Sequence, residues 1–89
     1  MQKARYQEVA SAITAVIREP HAVRVEFDEA LNATTMHELV SAERDCCQSL
    51  SFEWDTYTRQ LWVTVATPTM LPALDAIGAA FTQAQERIR

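Results

Sequence analysis

The sequence predicts a small α+β domain, a mainly antiparallel three-stranded sheet with helices packed on one face. Three observations carry this reading: apolar spacing of three and four residues in three segments, a switch to period two in three others, and the order α-β-α-β-β-α in which they alternate. The 89 residues are treated as one domain, 1–89, because no linker, internal repeat or low-complexity tract divides them.

The first segment, from about Lys3 to Arg18, places Tyr6, Val9, Ala10, Ile13, Val16 and Ile17 on one helical stripe, and Pro20 is expected to end it. From Ala22 the period becomes two. Val23, Val25 and Phe27 then share one face and Arg24, Glu26 and Asp28 the other, as in a half-buried strand. The second helix is expected from Thr34 or Thr35 to about Leu50, with Thr35 and Glu38 forming a capping box.

Phe52, Trp54 and Thr56, followed by Leu61, Val63 and Val65, predict two further strands joined as a hairpin. A tip at Arg59-Gln60 would set Trp54 against Val65 inside and Tyr57 against Trp62 outside. That outward aromatic pair is a candidate interface, and the open strand edges with it suggest a homodimer. Pro68 closes the last strand. Thr69 is the expected cap of a final helix, with Pro72 in its first turn and Leu74, Ile77, Phe81, Ala84 and Ile88 facing inward. Gly78, the only glycine, marks a close contact with a neighbouring element.

The formal net charge of -4 argues against nucleic acid as a partner, which would require a clustered Lys/Arg surface. The apolar runs are too short for a membrane span or a signal peptide, so no membrane is expected and the predicted location is cytoplasmic. With one glycine the chain has little means of building a phosphate cradle. No nucleophile elbow or His-Glu-x-x-His motif appears, and the serines lack a recognisable base, so the sequence points away from an enzyme and from common cofactors.

The chemistry-bearing segment is Glu43-Arg44-Asp45-Cys46-Cys47. Rotating the second helix by about 100° per residue gathers Met36, Leu39, Val40, Glu43, Cys47 and Leu50 on one arc, with Cys46 at its edge. A carboxylate in the middle of an apolar stripe must be paired, hydrogen bonded, protonated or directed into a solvated pocket. One reading is a thiol site in which Cys46 and Cys47 supply sulfur, Glu43 acts as ligand or proton acceptor, and Trp54 and Tyr57 form walls. Two sulfurs suit a soft metal ion such as Hg(II) or Cu(I) better than Mg or Ca, and a structural zinc would need His21, His37 or a second subunit besides.

The competing reading makes both cysteines core residues, with Glu43 bonded to a partner such as Arg24, Trp54 or Tyr57, and leaves the Tyr57 and Trp62 face as the working surface of an interaction or scaffold protein. A redox pair is disfavoured, because adjacent cysteines in a helix do not close a disulfide without strain.

Glu43-Arg44-Asp45-Cys46-Cys47, followed by Leu50-x-Phe52 and later Leu61-Trp62-Val63, resembles the Glu-Arg-x-Cys-Cys-Pro-Phe-Leu-x-Phe segment of a group of small bacterial proteins. Similar segments occur as C-terminal extensions of regulators of the mercury-responsive MerR class. The likeness covers roughly Val23 to Pro68, with Gln48-Ser49 standing where the pattern has Pro-Phe. It implies a metal- or thiol-ligand-binding module without the DNA-binding part of those regulators.

Overall fold

The computed structural model describes residues 9–46 and 50–88. Its elements are β1 (Ile13–Glu19), β2 (Ala22–Phe27), α1 (Ala33–Cys46), β3 (Leu50–Asp55), β4 (Gln60–Val65) and α2 (Leu71–Ile88), with a 3-10 turn at Pro68–Met70 leading into α2. The four strands form one antiparallel sheet in the order β1-β2-β4-β3. The fold is thus α+β, but with four strands and two helices among the described residues rather than the expected three of each.

The additional strand is β1. The segment expected to complete a first helix instead doubles back through Pro20 and His21 and pairs with β2, from Ile13 opposite Phe27 to Glu19 opposite Ala22. Ile13, Thr14, Val16 and Ile17 are β-branched, which favours a pleated strand over a helix. Their three-residue spacing has a local cause. The register shifts between Ile13 and Ala15, and this bulge lets Ile13 and Val16, three apart, both face inward opposite Phe27 and Val25. Val9 and Ala10 are helical and buried, whereas Tyr6 and the earlier part of the expected helix lie outside the described residues.

One face of the sheet carries the core. Val23, Val25, Phe27, Phe52, Leu61 and Val63 are all buried there, as the alternation in β2 and β4 predicts. Helix α2 lies over β1, β2 and β4, and α1 lies over β3. Leu74, Ile77, Phe81 and Ala84 form the buried stripe of α2, and the side chain of Ile88 lies outside the described residues. Burying each such large apolar side chain contributes about 1.5–3 kcal/mol. Polar contacts fix the placement of α2: Arg18 Nε donates to Asp75 Oδ1 at 2.9 Å, and Gln85 Nε2 donates to the Ile13 carbonyl at 3.1 Å.

The helix caps differ from those expected. Asn32 caps α1, its Oδ1 accepting from Thr34 N at 2.8 Å and from Thr35 N at 3.4 Å. Thr35 is therefore inside the first turn and is not the cap, because Asn32 offers the better-placed acceptor one turn earlier. Thr69 lies in the 3-10 turn, where its hydroxyl pairs with that of Thr67 at 2.8 Å, and Pro72 falls in the first turn of α2.

The β3–β4 hairpin has a longer loop than expected. Trp54 faces Leu61 and Asp55 faces Gln60, which leaves Thr56 to Arg59 as the turn. Asp55 Oδ1 accepts from Tyr57 N at 2.9 Å and from Thr58 N at 3.2 Å, and Arg59 adopts the left-handed region at φ 56°. The aspartate supplies the local acceptor that closes this loop without glycine or asparagine at the left-handed position. Tyr57 is consequently in the turn and does not pair with Trp62; Glu53 is the residue opposite Trp62.

Candidate functional site

Helix α1 places Glu43 on the same stripe as Met36, Leu39 and Val40, and all four are buried. Glu43 is 0% exposed, the one buried charged residue among those described, and it is engaged in a polar interaction. None of the three partners expected for it serves. Arg24 belongs to the opposite face of the sheet, where Glu19 and Glu26 hold its guanidinium. Trp54 Nε1 has no acceptor among the described residues, and Tyr57 is 99% exposed.

The next residue, Arg44, ties α1 to the sheet by donating from Nη2 to the Phe52 carbonyl at 2.6 Å. Cys46 is the last residue of α1, three positions beyond Glu43, and the chain then passes to β3. The Cys46 side chain and all of Cys47 lie outside the described residues. Among the described residues no group of three or more His, Cys, Asp and Glu side chains is placed to hold a metal. His21 and His37 are both exposed.

Trp54 faces the core from β3, its ring edge-on to Phe27 with centroids 5.7 Å apart and planes at 73°. Its Nε1 is buried without a hydrogen-bond partner among the described residues. Glu43 and Trp54 thus look into the core from two contacting elements, α1 and β3. Tyr57 does not join them. It lies past the far end of β3, a strand spanning about 17 Å, while α1 hands over to the near end.

The outward face of the sheet is polar and partly aromatic. Across its middle row stand Ile17, Arg24, Trp62 and Glu53, and the next row carries Ala15, Glu26, Gln60 and Asp55. Arg24 lies over Trp62, its guanidinium carbon 5.6 Å from the ring centroid, while its Nε meets Glu19 Oε2 at 3.0 Å and Nη1 meets Glu26 Oε2. Trp62 Nε1 donates to Gln60 Oε1 at 3.3 Å. Backbone N–H donation to Asp55, first from Thr58 and then from Tyr57, holds its carboxyl below the ordinary aspartate range.

The sequence did not reveal the Arg24 network, because its partners come from two strands whose pairing was not foreseen. The shared face of Arg24 and Glu26, two residues apart, was the available signal; Glu19 joins them only once β1 is paired with β2. No family model, curated protein or solved structure matches the chain. No described helix is long and apolar enough to cross a membrane.

Proposed function

We propose that this chain is a noncatalytic binding module that takes a soft metal ion or a thiol-reactive ligand at the C-terminal end of α1. Cys46 and Cys47 supply sulfur and Glu43 the neighbouring carboxylate. The supporting observation is the complete burial of Glu43 on the apolar stripe of α1, one helical turn before Cys46. A carboxylate is costly to keep there, and its proximity along the helix to two thiols gives it a use as a ligand or as the acceptor that favours thiolate. Trp54, with its buried Nε1, is a candidate wall; the turn position of Tyr57 sets it apart from this end of the helix.

Anaerobic titration with Hg(II) and with Cu(I), followed by thiolate-to-metal absorption and intact mass, tests this reading. A stoichiometric complex is expected, weakened when Cys46→Ser or Cys47→Ser is introduced. Thiols that stay unreactive until denaturation, with no metal taken up, would overturn it and make both cysteines core residues.

A homodimeric interaction protein is the second reading, favoured by the outward position of Trp62 and the exposure of Tyr57. Sedimentation of the native protein and of Trp62→Ala is its measurement. A dimer lost in the variant supports it, and a concentration-independent monomer rules it out.

A further inference from the structure

The two outer strands, β1 and β3, end the sheet differently. On β3 the Phe52 carbonyl points away from β4 and is taken by Arg44 Nη2. On β1 the hydrogen-bonding phase follows from β2. Phe27 N donates to the Arg59 carbonyl at 3.0 Å on the β4 side, so Val23 and Val25 bond to β4, while Arg24 and Glu26, one residue out of phase, bond to β1. Their partners there are Ile17 and Ala15. Val16 and Arg18 therefore turn their main-chain N–H and C=O groups to the open edge, and among the described residues no side chain bonds to them. We propose that two copies of this chain pair antiparallel through β1, about a twofold axis at Ile17, and so join their sheets into one. This rests on the homodimeric reading but moves its contact from the Trp62 face to the sheet edge.

The free groups fit a second copy of the same strand. Val16 and Arg18 stand one residue either side of Ile17. A twofold axis there sets each Val16 opposite the partner's Arg18, and each such pair exchanges both of its N–H···O bonds. The usable edge is bounded at one end by the bulge after Ile13, where Gln85 takes the Ile13 carbonyl, and at the other by Pro20, which has no N–H. Pairing about Ile17 stays inside these limits, with Ala15 facing the partner's Glu19.

Charge decides between a second copy and an unrelated chain. Edge strands are commonly guarded by an unpaired charge, above all lysine. No lysine lies in β1, and its two charged residues are occupied: Arg18 Nε meets Asp75 Oδ1 at 2.9 Å, and Glu19 Oε2 meets Arg24 Nε at 3.0 Å. A charged peptide would find nothing on β1 to pair with, whereas a second β1 brings charges that are already neutralised. The side chains match as well. Ile17 is half-buried on the outward face, and the axis sets it against the partner's Ile17 in a non-hydrogen-bonded position, where cross-strand side chains approach most closely. On the core side α2 runs along β1, with Asp75 reaching Arg18 and Gln85 reaching Ile13. Ala79 and Thr82, on that same side of the helix, are small, so α2 does not bar the approach.

Sedimentation of the full chain, with amide hydrogen exchange at high and low protein concentration, tests the proposal. A dimer is expected, retained in Trp62→Ala, with the Val16 and Arg18 amides protected in it and released on dilution to monomer. Ile17→Lys is expected to weaken the dimer about tenfold or more, since like charges then stand opposite each other. Mixing it with Ile17→Glu is expected to restore pairing as a heterodimer, which also shows that both variants fold. In a chain carrying Cys46→Ser and Cys47→Ser, Ile17→Cys is expected to form an intermolecular disulfide on mild oxidation, and Ala15→Cys is not, because only the residue on the axis lies about 4.5 Å from its own copy. A monomer at every concentration would overturn this proposal together with the homodimeric reading. A dimer lost in Trp62→Ala but kept in Ile17→Lys would overturn this proposal alone. Free exchange of the Val16 and Arg18 amides in the dimer would overturn it too, as would their protection in a monomer, which would assign the cover of this edge to the same chain.

Discussion

At Gly78 an added Cβ would meet only Val23 Cγ2, at 3.7 Å, an ordinary van der Waals contact. The sequence marks this glycine as a close approach. It does face β2, yet there is room for a methyl group, and glycine inside a helix costs about 1 kcal/mol relative to alanine. Gly78→Ala is expected to stabilise the fold by about 0.5–1 kcal/mol, read as a higher midpoint in urea. At Trp54 the ring packs edge-on to Phe27, but Nε1 is buried without an acceptor among the described residues. An unsatisfied buried donor costs about 1–3 kcal/mol, so Trp54→Phe, which keeps an aromatic ring, should lose far less stability than a large-to-small change would. A drop of several kcal/mol would show that the indole nitrogen has a partner after all.

At the level of elements, β2, α1 and α2 were legible and β1 was not. Val23, Val25 and Phe27 alternate cleanly because β2 has one buried face, and Glu43 stands out on α1 because its neighbours three and four residues away are all apolar. In β1 the bulge after Ile13 replaces the two-residue spacing with a three-residue one, and a helical reading follows naturally. The hairpin register was hidden for another reason: the turn is closed by a side chain, Asp55, and by Arg59 in the left-handed region, neither of which resembles an Asn-Gly signal. The Asp55 carboxyl is held below its ordinary range by the Thr58 and Tyr57 N–H groups. Its contribution to the folded state is therefore full above the unfolded-state pKa and is lost as pH falls through the lowered folded-state value. An acid titration of stability is expected to show a smaller decline at that end in Asp55→Asn than in the native chain.

Among the described residues, a single core lies between one sheet face and the helices α1 and α2. A domain of this size has a net stability of roughly 5–10 kcal/mol. Leu74, fully buried where α2 crosses the sheet, is a point at which that margin is vulnerable. Leu74→Ala should cost about 2–5 kcal/mol, visible as a large fall in the thermal midpoint by circular dichroism. Of the candidate thiol site, the position of Glu43 on an apolar stripe was legible in the sequence and the structure buries it, while the two thiols lie outside the described residues.

The strand order β1-β2-β4-β3 also sets a timetable. Each outer pair is a local hairpin able to form within microseconds, but the seam between them joins Ala22 to Thr64 and Glu26 to Gln60, a pairing distant in sequence. During synthesis the first hairpin emerges with Val23, Val25 and Phe27 uncovered and must wait for β4 and α2 before those side chains are sheltered. Assembly of this seam is then the slow event in folding, and the interval before it is when the nascent chain is most exposed to aggregation.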